Sequence, residues 1–285
     1  MIETIQGGAS MRFHQFAARA AGLAIIMSLA GGAVLAQSGP TTADLVLWLE
    51  ADNGLATDGS AWTDQSGSGH NATALAGEAP TYLSGALNGL PVASFNGSSQ
   101  AMSIAGKVLT KQKFTILAVV TDTSVPGAFH EIVSNWDGTT TVNSIFLGTV
   151  WGVVNAASAD RIRFTDVVGG ADQGDTGQGD IKKPTSPFVL SGVSSSNNAV
   201  IRLGPKIQYS LGTALPRRNL TKAWFLGKQG SSSFEYWQGY IAEVLIYNDV
   251  LSAAELKTDL TYLEAKWLPP KKLSDRLKSP RSPLR

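Results

Sequence analysis

One segment near the C-terminal end of the chain, residues 239–267, constrains the fold most, because an apolar strand there runs directly into a capped helix. Residues 244–247 are β-branched or bulky residues of the kind that fill a buried strand. Ser252 and Glu255 then form a Ser-x-x-Glu capping box, which marks the start of a helix. Apolar residues recur after this cap at helical spacing, at Leu256, Leu260, Leu263 and Trp267. The pattern predicts a short helix that lies on a sheet and ends before Pro269.

Turn signals between apolar segments predict that the rest of the chain is built from short strands. Hairpin-type dipeptides occur at Asn53-Gly54, Asp58-Gly59, Asn88-Gly89, Asn96-Gly97 and Asp137-Gly138. The segments that read as strands are 45–49, 91–95, 114–121, 131–134, 145–154, 161–165, 188–193, 200–203, 223–227 and 241–247. A single convincing helix at the end excludes an alternating strand and helix architecture. The sequence predicts an all-β fold, a two-sheet antiparallel β-sandwich of the jelly-roll kind with one short C-terminal helix.

The N-terminal segment, residues 1–36, has the features of a secretory signal. Arg12 and Arg19 precede an apolar run over residues 20–35, and the small residues around Ala36 suit signal peptidase. This run is short for a membrane span. We therefore expect a protein that is secreted, periplasmic or held at the cell surface, without a membrane span after cleavage.

The remainder of the chain is predicted to hold one domain over residues 44–268, preceded by a short linker, residues 37–43. It contains no cysteine, so its stability depends on apolar burial, and thiol nucleophiles, thiolate metal sites and thiol redox chemistry are excluded. The tail, residues 269–285, is rich in Lys, Arg, Ser and Pro and is predicted to be disordered. Because basic residues concentrate in this tail without aromatic residues, nucleic-acid binding is not expected. A monomer is expected.

Several segments resemble one family. These are 45–49, 62–73, 89–97, 114–120 and 241–252, in that order along the chain. Together they are similar to the laminin-G-like jelly-roll domains of secreted bacterial proteins, in the concanavalin A-like lectin and glucanase group. The resemblance covers residues 44–268. It implies the jelly-roll fold and is weak on activity, because this fold serves lectins, adhesion modules, hydrolases and lyases.

A polar loop from Asp64 to Asn71 is the candidate metal site. Asp64, Ser66 and Asn71 carry oxygen-bearing side chains, and the glycines between them let the backbone curl around a hard cation. The resemblance implies calcium, since related laminin-G-like domains often bind it. Glu243, an isolated acid in an apolar strand, is the fourth candidate ligand. The alternatives are that Asp64 holds its own turn through backbone amides, and that Glu243 pairs with a buried Arg or Lys.

No catalytic set stands out in the sequence. Glycosidases on this fold use carboxylates that alternate along one strand, but the only Glu-x-Asp pair, Glu50 and Asp52, runs at once into a turn. A Gly-x-Ser-x-Gly motif is absent, and beyond the signal only His70 and His130 could serve as a base. These observations leave the enzyme hypothesis open and favour a binding function.

Aromatic residues beside turns are the candidate ligand site. Trp136 lies between Asn135 and Asp137 in a turn where a large ring is hard to bury, and Tyr236 and Trp237 precede the last strand in polar surroundings. Exposed rings stack on sugar faces, and neighbouring Asn and Asp side chains bind hydroxyl groups. In contrast, core or helix-docking positions are expected for Trp48, Trp62, Trp224 and Trp267.

We therefore predict a secreted non-catalytic binding module that recognises carbohydrate or another extracellular polymer, with structural calcium as an optional feature. The alternatives are a secreted polysaccharide hydrolase or lyase on the same fold, and an adhesion or envelope-structural protein.

Overall fold

A computed structural model describes most of the predicted domain. The described residues are 39–136, 144–151, 161–164, 167–168, 171–172, 183–215, 217–230 and 235–268, and all belong to one compact unit. The predicted signal, the start of the predicted linker, the basic tail and Asp137 lie outside the described residues.

The described residues form strands throughout and one helix at the end. The strands are β1 (Leu45–Glu50), β2 (Ala61–Trp62), β3 (Ala72–Ala74), β4 (Thr81–Leu87), β5 (Leu90–Asn96), β6 (Met102–Ile104), β7 (Phe114–Asp122), β8 (Phe129–Ser134), β9 (Phe146–Val150), β10 (Arg161–Phe164), β11 (Val167–Val168), β12 (Ala171–Asp172), β13 (Phe188–Ser194), β14 (Ala199–Leu203), β15 (Lys206–Ser210), β16 (Trp224–Leu226) and β17 (Gln238–Tyr247). The helix is α1 (Ala253–Trp267).

Two large antiparallel sheets make up the fold, with a small two-stranded sheet of β11 and β12 beside them. The first sheet has eight strands in the order β15-β14-β13-β7-β17-β5-β4, with β1 also paired to β17. The second has seven strands in the order β10-β9-β8-β16-β6-β3-β2. This arrangement confirms the predicted all-β antiparallel sandwich with one short C-terminal helix.

Strand β17 lies at the centre of the first sheet and has two neighbours along one edge. Its first half pairs with β5, so that Ile241 faces Ala93, and its second half pairs with β1, so that Tyr247 faces Leu45. The change of neighbour falls beside a bulge between Ile241 and Glu243. Glu243 therefore lies where three strands and a backbone irregularity meet.

The core fills the space between the sheets with apolar side chains from both. Leu47, Leu117, Trp62, Trp224 and Val244 are all completely buried, and they belong to one continuous apolar cluster. The predicted core positions of Trp62 and Trp224 are confirmed. A chain without cysteine has no disulfide bonds to stabilise it, so its stability depends on apolar burial of this kind.

Helix α1 packs on the face of the first sheet, as its apolar spacing predicts. The capping box is present, since the Ser252 hydroxyl accepts from the Glu255 amide and the Glu255 carboxylate accepts from the Ser252 amide. The predicted apolar positions, Leu256, Leu260, Leu263 and Trp267, are buried. The Tyr247 hydroxyl on β17 donates to Asp259 of the helix at 2.7 Å, which joins the helix to the centre of the sheet. No helix in the described part of the chain is long and apolar enough to span a membrane.

Candidate functional site

A groove of about 390 Å³ opens at the end of the sandwich where β7 begins and β13 ends. Its lining comes from three separate segments, and six of its eight residues have polar side chains: Gln112, Lys113, Ser194, Ser195, Ser196, Ala214, Leu215 and Arg217. We name it the Gln112 groove. Amide, hydroxyl and cationic groups therefore lie beside apolar surface, a mixture that can bind a ligand with hydroxyl groups and an apolar face.

The Gln112 side chain fixes one wall of this groove. Its amide donates to the carbonyl of Arg218 at 3.0 Å and accepts from the backbone amide of Arg218 at 2.6 Å. The Ser194 hydroxyl donates to the carbonyl of Gln112 at 3.2 Å. Because these bonds join the starts and ends of different strands, the wall is positioned before any ligand arrives, which lowers the entropy cost of binding.

A tight polar turn forms the opposite wall. The Ser195 hydroxyl donates to the Asn198 carbonyl at 2.8 Å and accepts from the Asn198 amide at 3.0 Å. Asn198 in turn accepts from the amide of Gly212 at 2.8 Å. Ser196 and Lys113 are exposed lining residues of the groove, and Lys113 Nζ lies 3.8 Å from a carboxylate oxygen of Asp249.

Asn135, one of the residues predicted to bind ligand, is buried behind the Gln112 groove rather than in it. Its amide donates to the carbonyl of Asn219 at 2.8 Å, and its carbonyl oxygen accepts from the amide of Ile145 at 2.6 Å. Asn219 directly follows Arg218, and the side chain of Gln112 is hydrogen-bonded to the backbone of Arg218. The side chain of Asn135 therefore supports the segment that forms the wall.

The rings predicted to be exposed are buried. The exposed fraction is 8% for Trp136, 6% for Tyr236 and 0% for Trp237. The expectation of exposed rings is wrong because residues 228–230 pack against residues 134–136. The Gly230 amide donates to the Ser134 hydroxyl at 2.5 Å, and a Cβ on Gly230 would overlap the carbonyl of Trp136.

The two predicted aromatic loops nevertheless lie together. The Ser134 hydroxyl donates to the carbonyl of Lys228 at 3.2 Å, and Tyr236 forms a bridge with Glu131 of β8. A ligand role for Asn135, Trp136, Asp137, Tyr236 and Trp237 stays a prediction. Packing is the role that the burial of the three rings supports.

Asp64 is held by hydrogen-bond donors on both carboxylate oxygens. Oδ1 accepts from the amides of Trp48 and Ser66, each at 2.9 Å. Oδ2 accepts from the Ser66 hydroxyl and the His70 amide, each at 2.9 Å. Asn71 accepts from the Asp64 amide at 2.9 Å. This is the geometry of an acid that stabilises its own turn.

Glu243, the other candidate calcium ligand, is completely buried under the end of α1. Its carboxylate accepts from the Trp48 indole at 2.7 Å, the Trp267 indole at 2.5 Å and the Tyr262 hydroxyl at 3.0 Å. Lys266 Nζ lies 3.6 Å from Oε2 of this carboxylate. The alternative prediction for Glu243, that it pairs with a buried Arg or Lys, therefore describes this contact. Burial raises the pKa of Glu243 to about 7, although the positive charge of Lys266 acts to lower it.

The predicted calcium ligands do not fit a shared calcium site. The oxygens of Asp64 and Glu243 already face N–H and O–H donors, and Glu243 faces an ammonium group as well. In the described residues there is no group of three or more histidine, aspartate or glutamate side chains arranged to hold a metal ion. Calcium binding stays a prediction, to be tested by chelation.

The Glu50 and Asp52 pair is drawn into the same cluster as Glu243. Lys266 pairs with Glu50 and lies 2.8 Å from Asp52. The Tyr262 hydroxyl donates to Glu50 at 3.1 Å as well as to Glu243. Lys266 of α1 is thus the shared counter-charge of Glu50 and Glu243, which are buried, and of Asp52, which is exposed, and the arrangement ties the helix to the sheet.

Sequence reasoning missed the Gln112 groove because its residues carry no motif. Gln112, Ser196 and Arg217 are distant in sequence and meet only when β7 pairs with β13. The run of three serines and two asparagines at residues 194–198 was the one local signal of a polar surface turn.

The comparisons with known proteins concern the fold. Protein-family models and curated proteins give no match to the chain. Among solved structures, it is similar to domain 4 of AbnA, an extracellular GH43 arabinanase from Geobacillus stearothermophilus, in complex with arabinotriose. That likeness has a TM-score of 0.56 and 15% identity, over 77% of this chain and 98% of that domain.

A second similar structure is the sialidase of Trypanosoma rangeli, with a TM-score of 0.52, 16% identity and coverage of 80% of this chain. The match spans 34% of the sialidase chain. At these identities the likenesses show a shared β-sandwich fold and no more.

Proposed function

We propose that this chain is a secreted, non-catalytic binding module that recognises carbohydrate or another extracellular polymer through the Gln112 groove. The observation that carries the proposal is the likeness over 98% of an arabinanase domain that was solved with arabinotriose bound. The match covers nearly that whole domain, so the likeness concerns a complete folding unit that carries a sugar.

The chemistry of the groove supports this proposal. Sugars present hydroxyl groups at the ring edge and C–H groups on the ring face, and the groove offers hydroxyl and cationic groups around Leu215 and Ala214. Gln112 and the turn at Ser195 are fixed by their own hydrogen bonds, which leaves the exposed side chain of Ser196 to contact a ligand.

The arrangement of acids supports binding rather than catalysis. A glycosidase needs two carboxyl groups that face a common substrate. Glu50, Asp52 and Glu243 share Lys266, and two of these acids, Glu50 and Glu243, are buried beside α1. A hydrolase or lyase, or an adhesion protein without sugar affinity, is kept as an outcome of the test.

The test is calorimetric titration of residues 37–285 with arabinotriose and a panel of soluble polysaccharides, with the same mixtures assayed for reducing ends and unsaturated products. Ser196→Tyr fills the mouth of the groove and should weaken binding at least tenfold. Ser68→Tyr, at an exposed serine in the Asp64 loop, is the matched control and should bind as the unmodified protein does.

Three results would contradict the proposal. Equal binding by the two variants would place the ligand elsewhere, product release would show an enzyme, and absence of binding to every sugar would favour the adhesion alternative. Export is tested separately, by the N-terminal residue of the protein recovered outside the cell, which is Gln37 if residues 1–36 are a signal.

A further inference from the structure

A second groove, of about 320 Å³, lies between α1 and the hairpin of β14 and β15. Its apolar lining includes Pro205, Leu256 and Leu260, and its charged lining is Arg202, Lys257 and Glu264. A Cβ on Gly204 would lie 3.3 Å from Glu264 Oε1, so Glu264 reaches the turn of the hairpin. We name this the Arg202 groove.

Arg202 is the unusual residue of this groove. Its side chain makes no hydrogen bond or ion pair with any described residue, although its Nε is buried. Three partly buried lysines behave differently, since Lys183 pairs with Asp122, Lys228 with Glu78 and Lys266 with Glu50. Arg202 is therefore a cation that is partly removed from water and has no carboxylate to compensate for the lost hydration. This arrangement is energetically unfavourable for the folded chain without a ligand.

A second polar group beside Arg202 also lacks a partner among the described residues. Ser191 on β13 faces Arg202 directly across the ladder, so the two side chains project from the same face of the sheet. Ser191 is 1% exposed, and its hydroxyl has no hydrogen-bond partner. Two neighbouring polar groups, Arg202 Nε and the Ser191 hydroxyl, thus lack hydrogen-bond partners among the described residues, and Arg202 lines the groove.

The electrostatics of the groove favour an anion. Burial, with no opposing charge or hydrogen bond, lowers the pKa of Arg202 below its usual range. Lys257 adds a second positive charge, and Glu264 is the single acid of the lining. One carboxylate from a ligand would balance the charge of the groove, whereas a single group with two negative charges, such as a phosphate dianion, would meet repulsion from Glu264.

The shape and chemistry of the groove narrow the choice of anion. A planar carboxylate matches the fork of a guanidinium group with two parallel hydrogen bonds. Pro205, Leu256 and Leu260 form an apolar surface next to it, suited to the C–H face of a sugar ring. From these observations, we infer that the Arg202 groove binds a uronic-acid residue of a glycan, with its carboxylate on Arg202 and its ring against α1.

This inference is independent of the Gln112 groove, because the two grooves share no lining residue. Binding of a neutral sugar at the Gln112 groove could fail while the Arg202 groove still binds an acidic one. Ser196→Tyr should leave uronic-acid binding unchanged, and Arg202→Gln should leave arabinotriose binding unchanged. The two proposals can therefore fail separately.

The experiment is titration of residues 37–285 with digalacturonate, with its neutral counterpart galactobiose and with inorganic phosphate. Digalacturonate should bind, galactobiose should not, and phosphate should bind at least tenfold more weakly. Arg202→Gln should reduce digalacturonate affinity at least tenfold, and Lys206→Gln, an exposed cation on the same hairpin, should change it less than twofold. Glu264→Gln should tighten binding severalfold, because it removes the one opposing charge.

The fold of the Arg202→Gln variant is checked by thermal unfolding. Since the Arg202 side chain has no hydrogen bond to lose among the described residues, the midpoint should stay the same or rise. Unchanged digalacturonate binding by this variant, or equal binding of galactobiose, would overturn the inference. Phosphate binding as tight as that of digalacturonate would show a general oxyanion site and would overturn the sugar assignment.

Discussion

The indole Nε1 of Trp267 donates a hydrogen bond of 2.5 Å to Oε2 of Glu243, which joins the last turn of α1 to the centre of β17. The indole of Trp48 on β1 donates to the other oxygen of the same carboxylate at 2.7 Å. One buried acid thus links the start of the domain, its last strand and its only described helix.

Trp267→Phe should destabilise the protein by about 2–4 kcal/mol, because it removes ring volume from a packed site and one donor from a buried carboxylate. The free energy of unfolding in urea measures the effect. Trp48→Phe removes the other indole donor from a half-buried ring and should cost less. A loss below about 1 kcal/mol for Trp267→Phe would show that the bond to Glu243 contributes little.

Stability should depend on pH through Glu243. Burial raises its pKa from 4.5 to about 7, so between these values the folded protein holds a proton that the unfolded chain releases. The stability that this proton provides is complete below pH 4.5 and is lost as pH rises through 7, by roughly 2–3 kcal/mol.

The check is urea unfolding at a series of pH values from 5 to 8. Glu243→Gln keeps a neutral acceptor for the indoles but cannot titrate, so its stability should vary less over this range. A steeper decrease in the variant than in the unmodified protein would contradict the assignment to Glu243.

Asp122 is expected to hold the two sheets together at one end. It ends β7 of the first sheet and accepts from Thr149 of β9 at 2.7 Å and from the Trp151 indole at 2.6 Å, with Lys183 at 3.2 Å. Asp122→Asn should cost on the order of 3 kcal/mol, since it leaves Lys183 without its counter-charge. Asp249→Asn alters a half-buried acid that pairs with the exposed Lys111 and Lys113, and should cost less than about 1 kcal/mol.

The same carboxylate should make the protein sensitive to acid. Burial alone would raise the pKa of Asp122, but hydrogen bonds from Ser124, Thr149 and Trp151 lower it below 3.8. Its contribution is therefore present above pH 3.8 and is lost as pH falls through the lowered value. Equal acid unfolding of Asp122→Asn and the unmodified protein would contradict this role.

Chelation tests the calcium hypothesis at the Asp64 loop. Because four donors already occupy the Asp64 oxygens, we expect the thermal midpoint to be the same with calcium and with a chelator. Asp64→Ala should lower the midpoint under both conditions, since the loop loses its central acceptor. A midpoint that rises with calcium, and does so only when Asp64 is present, would restore this residue as a metal ligand.

The fold was predictable because its signals are local. The spacing after Ser252 predicted α1, and the Asn-Gly and Asp-Gly dipeptides separated segments that do form strands. Strand β4 was missed because its residues are mostly exposed and include Gly85, so it shows no apolar alternation. The order of strands in each sheet depends on contacts between distant segments, which no local pattern records.

The site was less predictable, and Trp136 shows why. Trp136 was predicted to have an exposed ring because of its neighbours in sequence, but exposure of its ring depends on residues 228–230, which pack against it from elsewhere in the chain. Similarly, pairing of Glu243 with a cation was foreseeable, whereas the identity of that cation as Lys266 depends on how α1 lies on the sheet.

The pairing of β1 with β17 determines when this protein can fold. Leu45 of β1 pairs with Tyr247 of β17. The ribosome makes β1 early, so this strand has no partner strand until the end of the domain has been synthesised. The four residues that enclose Glu243, from Trp48 to Trp267, assemble later still. The complete first sheet and the contacts around Glu243 can therefore form only after the last strand and the helix of the domain have been synthesised.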